Sequence, residues 1–124
     1  MSYNWNEYLT FAKDLENGKS THTNYNLTCS LETVDRCIVS RSYYATFHYA
    51  KKYAETQSGF AFPKKEIHET IRQWFYDNGK RQTFFDLREF SKWRNHCDYD
   101  DSVPNLSGLI RDSRKMAGKI LHAF

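Results

Sequence analysis

The segment from about Ser30 to Thr56 constrains this chain more than any other part of it. It contains neither glycine nor proline, and Ile38, Ala45, Phe47, Tyr49 and Ala50 spread apolar surface over more than one side of the helix that their spacing predicts. A long helix that is apolar on several sides needs neighbours on several sides. It is therefore expected to be the central helix of a bundle, N-capped by Ser30 with Thr33 in its first turn.

The rest of the chain supplies those neighbours. Trp5, Tyr8, Leu9, Ala12 and Leu15 recur at helical spacing, with Asn4 as the expected N-cap and Gly18 as the expected stop. The polar run "NGKSTHTNYNLT" that follows has no periodicity and predicts a loop. "GFAFP" interrupts the chain after the central helix. A third helix is expected from Pro63, near its first position, to just before Gly79, with Ile67, Ile71, Trp74 and Phe75 as its apolar stripe. A fourth, from about Arg81 to Tyr99, carries Phe84, Leu87, Phe90 and Trp93. "DDSVPN" ends it, and a fifth presents Leu106, Leu109, Ile110, Ala117, Ile120, Leu121 and Phe124. Nothing reads as a strand. The expected fold is all-α, an up-and-down four-helix bundle with one additional helix, forming a single domain over residues 1–124. There is no internal repeat or low-complexity segment.

Composition narrows the functional classes. At 40% hydrophobic and 17% aromatic residues the chain is rich enough to build a core, and its formal charge of +3 suits a nucleic-acid partner without requiring one. "MSYNWNEYLT" lacks the basic and apolar regions of a signal peptide, and no apolar run approaches the roughly 20 residues that span a bilayer, so a soluble, cytoplasmic protein with no membrane partner is expected. Cys29, Cys37 and Cys97 are odd in number and lack CxxC spacing, which argues against both a disulfide framework and a zinc site. The sequons at Asn26 and Asn105 carry no meaning in a cytoplasmic chain. No histidine pair has metal-ligand helical spacing, and His22, His68 and His122 stand isolated. Neither a metal nor a cofactor is implied.

Two stretches concentrate polar chemistry. The first is "KWRNHCDYDD", from Lys92 to Asp101. Arg94 follows Leu87 by seven positions and Phe90 by four, so it continues the apolar face of its helix, and Asp98 lies one turn further on the same face, where a charge-assisted pair can form. His96 is rotated from Arg94 by about 200° on an ideal helix, so the two cannot face one ligand within one regular helix. The second stretch is "SRSYYATFHYAKKYAE", in which Arg41, Tyr44 and His48 form one polar ridge on the central helix. Arg41 or Tyr44 is expected to meet Asp98, with His48 near by, in one buried polar network.

Taken together, "W..YL..A..L", "SRSYYATFHYAKK", "EIHETI", "LREFSKWRNHCDYD" and "AGKIL" resemble the HEPN superfamily of small all-α prokaryotic domains, over nearly the whole chain. The resemblance implies a homodimer working in a defence or toxin–antitoxin system, with RNA or a nucleotide as ligand and a cognate antitoxin or defence subunit as partner. Many such proteins are metal-independent endoribonucleases, in which the arginine and histidine of an R-x4-6-H motif hold phosphate and move protons. Here those spacings from Arg94 reach Tyr99, Asp100 and Asp101 and no histidine, while Arg41 to His48 meets the spacing on a different helix.

The residues that the resemblance nominates for catalysis are Arg94, His96, Arg41 and His48. Tyr44, Asn95, Asp98 and Tyr99 are their polar surroundings. If the bundle dimerises about the fourth helix, His96 meets Arg94 of the other protomer. The alternative is a catalytically silent subunit that binds a partner protein, a nucleotide or an RNA. Arg94 with Asp98 reads first as a structural ion pair holding two helices together, ahead of an RNA or phosphate role, and His96 first as a helix-end residue near solvent. Tyr43, Phe47 and Trp93 are expected in the core or a dimer interface. The basic residues Lys51, Lys52, Lys64, Lys65, Arg111, Arg114, Lys115 and Lys119 are scattered over three segments, which predicts solvated faces more than one track.

Overall fold

The computed structural model describes residues 6–21 and 30–124. Asn4 and Trp5, the expected cap and first apolar residue of the first helix, lie outside these residues. So do His22, Cys29 and the sequon at Asn26. The described residues form five helices and no strand: α1 (Asn6–Thr21), α2 (Leu31–Ser58), α3 (Ile67–Asp77), α4 (Arg81–Tyr99) and α5 (Leu106–Leu121). No helix among them is long and apolar enough to cross a membrane.

The central helix starts and stops where its side chains dictate. Ser30 Oγ accepts the Thr33 amide at 3.2 Å, which satisfies one of the free donors of the first turn. At the other end Gly59 takes a left-handed conformation at φ 79° and returns its amide to the Glu55 carbonyl at 2.9 Å. Between these ends α2 packs against all four other helices. Its neighbours bury two joined clusters, one around Tyr43, Phe47, Phe75, Leu87 and Phe90, the other around Ala12, Leu15, Ile38, Val39 and Ile110. Trp93 packs against both.

Three expectations need correction. Helix α1 continues through Gly18 to Thr21, into the run expected as a loop. A helical glycine costs roughly 1 kcal/mol against alanine, which is a penalty and not a stop. Helix α3 begins at Ile67, four residues beyond Pro63, because Glu66 adopts a left-handed conformation at φ 52° that helical geometry cannot include. The chain ahead of it is drawn inward at Phe62, whose amide donates to Glu55 Oε2 at 2.9 Å and whose ring packs on the core. Phe84, expected on the apolar stripe of α4, lies outside both clusters. The face of α4 that is buried runs through Thr83, Asp86, Leu87, Phe90 and Cys97.

Candidate functional site

Arg94 sits on that buried face of α4, between Phe90 and Cys97. Its side chain is 11% exposed and crosses to α2, where the guanidinium lies 5.4 Å from the Tyr43 ring centroid and 5.3 Å from that of Tyr44. An arginine tolerates such a place because its planar, weakly hydrated head stacks on aromatic faces. Nη1 meets Asp98 Oδ2 at 3.5 Å, the one carboxylate at ion-pair distance among the described residues, while Nε is buried without a hydrogen-bond partner among them.

Asp98 in turn connects the seam to α2, although not through Arg41 or Tyr44 directly. Ser40 Oγ donates to Asp98 Oδ2 at 3.4 Å, and Arg41 Nη2 donates to Ser40 Oγ at 3.3 Å. Arg41 stacks on Tyr44 at 5.0 Å, so that ring receives two guanidinia. Arg41, Tyr44, Arg94 and Asp98 are therefore brought together. Ser40, buried and small, is the link between them.

His48 falls elsewhere on the ridge. It meets the edge of Phe47, with ring centroids 5.4 Å apart, and lies near Lys51 and His68. Burial, assisted by those two neighbours, holds its pKa down at about 4. His96 is 59% exposed and hydrogen-bonds Asp100 through Nδ1. Asn95 is exposed, and Tyr99 is 75% exposed. Arg94 and His96 thus leave α4 in different directions, one under the aromatic rings of α2 and one into solvent.

His68, read from the sequence as isolated, is the residue most in need of revision. It enters from the first turn of α3, stacks on Phe47 at 4.0 Å and hydrogen-bonds the Tyr43 hydroxyl through Nδ1 at 2.6 Å. Burial pushes its pKa down, as do the Arg94 and Arg72 charges, while Glu69 opposes them. A neutral ring whose Nδ1 accepts from Tyr43 carries its proton on Nε2. The available signal was its position three residues before Ile71 and seven before Phe75, both fully buried, which places it on the inward stripe of α3. Arg36 also escaped notice. It donates to the carbonyls of Cys97, Asp100 and Asp101 at 3.1, 2.6 and 3.1 Å, closing the C-terminal end of α4.

The chemistry open to this seam is limited and specific. Among the described residues no group of three potential metal ligands converges. Cys97 is not an activated nucleophile, because burial raises its thiol to about 11. What the seam offers is cationic: Arg94 pairs with Asp98, Arg41 reaches that carboxylate through Ser40, and Arg72 lies close enough to act on both His68 and Tyr43. Such an arrangement can hold helices together or receive an anion. Comparisons with protein-family models, curated proteins and solved structures return no match.

The two depressed histidines make stability depend on pH. In the unfolded chain His48 takes up a proton near pH 6.5, but in the folded chain it does so only near pH 4. The unfolded state thus binds more protons between these values. The contribution of His48 is complete above about pH 6.5 and is lost as pH falls towards 4, and His68 acts in the same direction. Urea denaturation at pH 7 and pH 5, where carboxylates are still mostly ionised, should show a loss on the order of 1 kcal/mol after allowance for partial solvent screening. The difference should shrink in folded His48→Gln and His68→Gln variants. An equal loss in both variants would exclude these histidines as its source.

Proposed function

We propose that this chain is a cytoplasmic HEPN-like subunit of a prokaryotic defence or toxin–antitoxin system, acting as a homodimer, that binds an RNA or a nucleotide without cutting it. One observation carries the choice against cleavage. Arg94 is committed to Tyr43, Tyr44 and Asp98, while His96 points to solvent and pairs with Asp100. A phosphate-holding cation and a proton-transfer group must act on one substrate, and in a single protomer these two do not. The gathering of the Arg41 and Arg94 guanidinia on the Tyr44 ring supports phosphate as the recognised group.

A second reading, an endoribonuclease completed across the homodimer, is favoured by the exposure of His96, Asp100 and Tyr99 at one helix end. The same assay separates the two. A mixed RNA pool is incubated in EDTA with wild type and with folded Arg41→Ala and His96→Ala variants, and both retention and cleavage are read. Retention without cleavage, weakened by Arg41→Ala, is the expected result. Cleavage that leaves 2′,3′-cyclic phosphate ends and disappears in His96→Ala would replace this reading with the enzyme.

A further inference from the structure

The residues Arg81, Phe84, Phe85 and Arg88 stand at i, i+3, i+4 and i+7 on α4 and so form one stripe about 10 Å long. This is not the stripe that faces the core. Phe85 is 43% exposed, Arg81 and Arg88 are exposed, and Phe84 belongs to neither cluster. One exposed ring is ordinary on a surface, but here Phe85 adjoins a half-buried ring and two exposed arginines in one stripe.

The contacts within the stripe show how it is organised. Arg88 lies over both phenylalanines, at 5.3 Å from the Phe84 centroid and 5.1 Å from that of Phe85. Arg81 lies 4.9 Å over Tyr76 of α3, and Tyr76 meets Phe84 edge-on at 5.3 Å. Cations and rings thus alternate across the hairpin of α3 and α4.

The carboxylates nearest in sequence are bonded to other groups. Asp77 accepts from Gln73, Asp86 accepts from Gln82 and Lys119, and Glu89 serves Lys92 and Trp93. Among the described residues neither Arg81 nor Arg88 has a carboxylate at ion-pair distance, and the first turn of α4 contains no acidic residue. Charge complementarity therefore calls for an anionic partner, and the alternating planar groups call for one with flat faces of its own.

We propose that this stripe, together with Tyr76, binds single-stranded nucleic acid. Guanidinium edges take phosphate oxygens, while the guanidinium planes and the Phe85 ring take unpaired bases. Duplexes hide their base faces and fit the surface poorly. The site uses different residues from the Arg94 seam, lies on another side of α4 and stands whether or not that seam takes a ligand.

Fluorescence anisotropy with a labelled oligouridylate, and with oligothymidylate in parallel, tests the site. The exposure of these side chains lets the variants fold, and circular dichroism verifies it. Arg81→Ala with Arg88→Ala is expected to weaken binding at least tenfold, Phe85→Ala roughly threefold or more, and Arg88→Lys less than Arg88→Ala, because lysine keeps charge without the stacking plane. A duplex of equal length should compete weakly. No binding by wild type, unchanged binding in the double variant, or binding that Phe85→Ala leaves intact and heparin abolishes as efficiently as oligouridylate would each overturn the proposal. Loss in Arg41→Ala with none in the stripe variants would place nucleic acid at the seam and also overturn it.

Discussion

Tyr43→Ala is expected to lower the stability of the protein by about 4 kcal/mol, within the range observed for deleting a buried aromatic ring. The Tyr43 side chain is fully buried where α2, α3 and α4 meet. Its ring stacks on Phe47 at 6.0 Å, takes the edge of Phe90 at 5.5 Å and lies under Arg94. Truncation removes these contacts at once and leaves a cavity that three helices cannot close without moving. It also strands His68, whose Nδ1 loses its donor. Tyr43→Phe isolates that last effect and should cost about 1 kcal/mol. Since domains of this size are stable by only about 5–15 kcal/mol, Tyr43→Ala should survive only at low urea. Equilibrium urea denaturation reads both variants, with the midpoint falling and the slope retained. A cost under about 1 kcal/mol for Tyr43→Ala would show that the ring does not organise the core.

The helices whose ends are marked by local chemistry are legible in the sequence. Ser30 and Gly59 are a capping hydroxyl and a residue free to turn left-handed, and α2 begins and ends beside them. Periodicity alone placed Arg94 on the buried face of α4, because its offsets from Leu87 and Phe90 admit no other direction. The start of α3 was illegible because Glu66 is left-handed, a conformation its residue type does not advertise. Phe84 misled for a related reason. Three- and four-residue spacings describe two adjoining stripes of α4, and hydrophobicity does not say which one faces inward.

The candidate site was legible in part. Arg94 and Asp98 pair within one helix at i, i+4, a distance a sequence pattern can see. The bonds from Tyr43 to His68 and from Arg36 to the end of α4 join residues separated by 25 and by 61–65 positions. Only tertiary packing brings them together. Ser40 was overlooked because a small hydroxyl carries no charge or apolar signal, yet it joins Arg41 to Asp98.

Arg94→Ala is expected to cost about 2–3 kcal/mol and to lower Tm by roughly 10 °C, through lost packing against two rings and a carboxylate deprived of its cation. This loss alone does not reveal why an arginine stands there. A guanidinium under aromatic rings with an unpaired buried Nε is expensive to maintain, and a hydrophobic side chain of similar length often replaces a buried ion without penalty. Arg94→Met therefore carries the argument. It fills the space beside Tyr43 and Tyr44 and is expected to recover most of the stability lost in Arg94→Ala, leaving Asp98 able to reach solvent, since its side chain is 27% exposed. Scanning calorimetry measures that recovery, and RNA retention by the same variant measures function. Stability regained with retention lost would assign the guanidinium to the ligand phosphate. Stability regained with retention unchanged would reduce the seam to packing and remove the support it lends to ligand binding. A variant as unstable as Arg94→Ala would show that the charge itself, through Asp98 and Ser40, holds α4 to α2.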